Sequence, residues 1–136
     1  MAHPDRLPGN RAVQLISPGG VETESLHGEM LSTHWLASMP YVRQILAGFG
    51  VVWSRSRLMR LAAGAGVSDH ADINYHWHTH VRVHIPVVTW PEVRFYCGGE
   101  AVHMGAADQR PVLRAGHVHR HRGDAWARCT SWKLGC

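Results

Sequence analysis

The chain has 136 residues, 45% of them hydrophobic, and a formal charge of +4, which fits one ordinary domain with enough apolar material for a core. No apolar run approaches the roughly 18 residues a membrane helix needs, and the opening MAHPDRLPGN lacks the basic-then-apolar pattern of a signal peptide. Cys97, Cys129 and Cys136 form no Cys-x-x-Cys pair; an odd cysteine count argues against a disulfide framework and sets the expectation of a cytoplasmic protein.

Residues 1–12 are polar and read as a flexible N-terminus. Val13 to Ile16 can form a short strand, closed by the turn signal Ser17-Pro18-Gly19-Gly20. Residues 21–38 follow no single period and fit a loop or a short helix. Pro40 to Phe49 reads as a helix: proline suits the first turn, and Val42, Ile45, Leu46 and Phe49 make one apolar stripe. Val51 to Trp53 and Leu58 to Leu61 look like strands, and Ala62 to Gly66 is a small-residue turn closing the second.

Val81 to Val88 alternates as a strand, and Pro86 within it suits an edge or a bulge. Val93 to Cys97, a Gly98-Gly99 turn and Glu100 to Met104 then read as a hairpin. Short strands at this spacing indicate an all-β sandwich or barrel. After Gly105 the alternation fades, and the segment does not read as closing strands.

Charge is as uneven as pattern. Through residue 107 eight arginines balance eight acids; beyond it five arginines and Lys133 face only Asp108 and Asp124, so the whole excess lies in residues 108–136. A basic segment can serve nucleic acid, and Trp126 and Trp132 could stack on bases. No binding motif accompanies them, so neither a nucleic-acid nor a membrane partner is expected. The bias toward arginine equally suits GC-rich coding, and a shift of reading frame near residues 105–108 would produce so abrupt a change.

The densest chemistry lies in Ser68 to Thr89, SDHADINYHWHTHVRVHIPVVT. In a strand, residues two apart share a face, so His70 and Asp72 present an imidazole beside a carboxylate. These are two of the three ligands in the facial triad that holds non-haem iron(II). The bland alternative for such a pair is a solvated loop. His76, His78 and His80 also alternate; they could hold a metal, line the mouth of a site or sit on a loop. His103 reads as a partly buried strand histidine.

The segment from Val13 to Met104 resembles the aspartyl/asparaginyl β-hydroxylase-like family of iron(II)/2-oxoglutarate dioxygenases. SRLMRLAAGAGVSDHADINYHW, VRVHIPVVT and VRFYCGGEAVHM, in that order and spacing, carry the likeness, with PYVRQILAGFG upstream. The resemblance implies a mainly β, cupin-like double-stranded β-helix (jelly-roll) with one or two N-terminal helices. It divides the chain into residues 1–12, a dioxygenase-like domain over 13–107 and an atypical basic tail over 108–136 that leaves the barrel incomplete.

The resemblance further implies Fe(II) on His70, Asp72 and a distal histidine, for which His117 is the candidate and His119 lies just beyond it. Arg82, His84 and Arg128 would bind 2-oxoglutarate, since guanidinium pairs bidentately with carboxylate. Molecular oxygen and an aspartyl or asparaginyl side chain, or a small amino-acid-like molecule, would be the other reactants. The alternative is a non-catalytic jelly-roll binding module without the third ligand and the 2-oxoglutarate anchor.

Overall fold

The computed structural model describes residues 9–71, 80, 82–97, 100–106, 118–123 and 129–135, with backbone alone for 68–71, 97, 118–123 and 129–135. Two sheets and two short helices make a mainly β structure. The strands and helices are β1 (Asn10–Pro18), β2 (Met30–Ser32), α1 (His34–Ala37), α2 (Pro40–Gly48), β3 (Ser56–Leu61), β4 (Gly66–Ala71), β5 (Arg82–Val88), β6 (Val93–Cys97), β7 (Glu100–Val102), β8 (Val118–Gly123) and β9 (Cys129–Gly135).

The five-stranded sheet runs β2-β1-β3-β9-β5 and the four-stranded sheet β4-β8-β6-β7, with every neighbouring pair antiparallel. From β3 to β6 the chain alternates between the sheets, so each acquires central partners from distant sequence.

Helices α1 and α2 cover one face of the five-stranded sheet. Thr33 caps α1: its Oγ1 accepts from the Leu36 amide and donates to the Gln14 carbonyl at 2.6 Å, which ties the helix start to β1. Pro40 opens α2 as expected. Val42 and Leu46 of its stripe are buried, with Ile45 and Phe49 packed beside them against Leu15, Leu36, Val83 and Ile85. The opposite face of this sheet meets the four-stranded one. Leu61 packs on Val67 and Val93, and the rings of His84 and Phe95 lie 5.2 Å apart.

Several sequence expectations change. β1 begins at Asn10, so residues 10–12 are paired to β3 rather than loose. The run 21–38 contributes β2 and α1; Gly20, at φ +69°, turns the chain where a Cβ would approach the Ser32 carbonyl at 2.9 Å. Val51 to Trp53 is no strand: Gly50 at φ +63° turns the chain, Trp53 folds back to donate to the Leu46 carbonyl at 2.8 Å, and its ring meets Phe49 edge-on. Pro86 does lie on an edge strand with a register shift beside it.

The largest difference is in the tail. Residues 118–123 and 129–135 form strands that occupy central positions, β8 between β4 and β6, and β9 between β3 and β5. Trp132 and Leu134 alternate in β9, and Trp132 stands in register with Leu58 on one side and Ile85 on the other. Two apolar positions among polar neighbours suffice because the flanking strands bring the rest of the layer.

Candidate functional site

One end of the sandwich is plugged by Leu61, Val67 and Val93. Moving along the same strands toward the other end, the inner-face positions change from apolar to chemically active. In the four-stranded sheet His70 stands directly opposite His119, and His119 directly opposite Cys97. Residues paired across an antiparallel ladder share a face, with Cα atoms about 4.5–5.5 Å apart. A register shift between Val67 and His70 keeps both on that face despite their odd spacing.

The five-stranded sheet supplies cations. β5 is buried on both faces: Val83 and Ile85 turn to the helices, and Arg82, His84 and Pro86 alternate to the other side. Arg82 is 6% exposed and His84 3%. His84 is in register with Lys133 of β9, and Lys133 with Arg57 of β3. Arg57, Lys133 and His84 therefore stand at one register level across β3, β9 and β5, with Arg82 two residues from His84. Gln14, in register with Arg57, is buried beneath residues 22–24, which it meets through its amide and side chain. Arg55 reaches the same loop by donating to the Glu24 carbonyl at 2.9 Å. Burial lowers the pKa of the Arg55 guanidinium, and Glu24 opposes that shift.

Of the residues singled out in the sequence, His70 is on β4, and Arg82 and His84 are on β5. Asp72, His76, His78, His117 and Arg128 lie outside the described residues. His80 is half-buried, and His103 donates from Nδ1 to the Val93 carbonyl, 3.1 Å away. The sequence pointed to His119 only after His117 and gave no site role to Arg57 or Lys133. The signal for β8 was present in the strict alternation of His119, Arg120, His121 and Arg122.

Among the described residues no three side chains of the metal-binding types are placed to hold an ion. Histidine, the residue type at the paired positions His70 and His119, is a donor that suits divalent iron, zinc, copper or nickel.

No family model matches the chain, and no curated protein matches it. Among solved structures the chain is similar to a predicted oxalate decarboxylase from Thermotoga maritima. The TM-score is 0.48 and the identity 13%, over 65% of this chain and 70% of that one. No helix among the described residues is long and apolar enough to cross a membrane.

Proposed function

We propose that the protein is an iron(II)/2-oxoglutarate-dependent dioxygenase on a double-stranded β-helix. It would hydroxylate an aspartyl or asparaginyl side chain or a small amino-acid-like molecule. One observation carries the reading: the same end of the sandwich brings His70 opposite His119 on one sheet and a row of basic residues on the other. A metal-binding pair facing an anion-binding row is what a metal-chelating dicarboxylate requires. The winding of β3 to β6 between two sheets, closed by β8 and β9 at their centres, agrees with the jelly-roll.

In this reading His70 and His119 hold the metal, with Asp72 the carboxylate that the family resemblance implies. The metal, when bound, supplies oxygen activation. The chain's part is placement. Arg82 and Lys133 would hold the far carboxylate of 2-oxoglutarate, and a desolvated cation binds such an anion more strongly than a solvated one. Lys133 is proposed as a second cation because β9 sets it in register with His84; Arg128, the anchor that the resemblance implies, lies outside the described residues. Phe95, 6% exposed and against the His84 ring, limits water on the inner wall.

The test is iron-dependent conversion of 2-oxoglutarate to succinate by the purified chain. His70→Ala should abolish it. If the wild type binds 2-oxoglutarate without converting it, the protein is a jelly-roll binding module instead.

A further inference from the structure

Residues 20–28 form a loop that closes on itself and lies against β1. The Gly19 amide donates to the Glu29 carbonyl at 2.9 Å, which holds the two ends together. Ser17 Oγ donates to the Val21 carbonyl at 2.6 Å near that base. Further out, the loop meets the sheet through its acidic tip, Glu22-Thr23-Glu24. The Gln14 amide donates to the Glu22 carboxylate at 3.3 Å, and Gln14 Nε2 donates to the Thr23 carbonyl. Arg55, just before β3, donates to the Glu24 carbonyl at 2.9 Å. At the tip every donor belongs to the sheet and every acceptor to the loop.

The seated tip leaves one group unmet. Gln14 is buried, and its Oε1 has no hydrogen-bond partner among the described residues. The amide that donates to Thr23 thus holds a desolvated acceptor that the loop does not satisfy. Water reaches that oxygen once the loop lifts, so the unmet acceptor favours the lifted state. The bonds that seat the tip are polar, and the Arg55 bond is exposed. A segment held in this way opens without unfolding its domain.

The tip sits at the β1 end of the basic row. Gln14 is in register with Arg57, Arg57 with Lys133, and Lys133 with His84. At about 4.8 Å per strand step, Gln14 stands about 10 Å from Lys133, close to the screening length of physiological salt. We propose that Glu22-Thr23-Glu24 is an autoinhibitory strap, a tethered competitor for the carboxylate that this row binds. The inference rests on the dioxygenase reading, which names that anion as 2-oxoglutarate. Seated, the strap gives its own carboxylate and carbonyls to Gln14 and Arg55, and its two negative charges repel a dicarboxylate from the row. Lifted, it withdraws that charge and returns the Gln14 amide, Gln14 Nε2 and Arg55 to an incoming anion.

Calorimetric titration of the full-length chain with 2-oxoglutarate tests this without reference to turnover. The double variant Glu22→Ala/Glu24→Ala changes two exposed side chains of the loop, so it keeps the fold. It should bind at least about threefold tighter than the wild type. The control Glu92→Ala/Glu100→Ala makes the same change of net charge at two other exposed positions, and its affinity should stay within about 1.5-fold of wild type. In the wild type, saturating 2-oxoglutarate should also speed cleavage of the loop by a glutamate-specific protease at least about threefold, since cleavage follows the lifted population. Equal affinities of the wild type and the strap variant, or an equal gain in the control, would overturn the strap and leave the dioxygenase reading standing. So would slower cleavage with 2-oxoglutarate, which would make the loop a cover that closes on the ligand. Binding by the strap variant alone would support the proposal in its strongest form. No binding by either chain would remove the dioxygenase reading, and the strap with it.

Discussion

β5 separates stability from chemistry along a single strand, and Ile85 measures that separation. Its side chain is 6% exposed and packs with Leu15, Leu36, Val42, Leu46 and Val83 beneath the helices. Ile85→Ala removes three carbon groups, about 2.4 kcal/mol at about 0.8 kcal/mol each. The cavity left in a layer pinned by β1 and α2 raises the total to about 3–4 kcal/mol. For a domain of this size that lowers Tm by about 10–15 °C. Urea unfolding followed by tryptophan fluorescence gives the value directly. The neighbouring Val87, 43% exposed past the alternating stretch, is the control, and Val87→Ala should stay within about 0.5 kcal/mol of wild type. Iron(II) binding by folded Ile85→Ala should be unchanged, because Ile85 is on the helix side of the sheet. A loss below about 1 kcal/mol, or one equal to that of Val87→Ala, would refute the two-faced reading of β5.

Thr33→Val keeps volume but removes both the α1 cap and the donor to the Gln14 carbonyl, so it should cost about 2–4 kcal/mol by the same unfolding assay. Arg55→Met should change stability by no more than about 0.5 kcal/mol. Its bond to the Glu24 carbonyl is solvent-exposed, and an exposed polar contact contributes little. Arg82→Met should weaken 2-oxoglutarate binding, measured by calorimetry, by at least about 30-fold, the lower end of what removing one partner of a buried charged pair costs. An unchanged affinity would remove Arg82 from the anion site.

The parts of the fold legible in the sequence were those whose local pattern matches their environment. The α2 stripe reads directly because one face packs on a sheet and the other meets water, and Pro86 signalled an edge because proline cannot donate to a ladder. Val51 to Trp53 misled because three apolar residues carry no period, and a glycine at positive φ redirects them onto the helix. β8 and β9 were hidden for a different reason. β8 alternates histidine with arginine rather than aliphatic with polar residues, so a hydrophobic alternation was the wrong signature, while the alternation of residue type was intact. His70, Arg82 and His84 were singled out from motif and resemblance, and the structure gives their strand positions. Arg57 and Lys133 were not, since only cross-strand register brings them beside His84.

Metal binding tests the central claim most directly. Anaerobic titration of the purified chain with iron(II), followed by metal analysis after gel filtration, should give one ion per chain. His70→Ala and His119→Ala should each lose it while keeping the far-ultraviolet circular dichroism of the wild type. Retention of iron by both variants, or none in the wild type, would contradict the account.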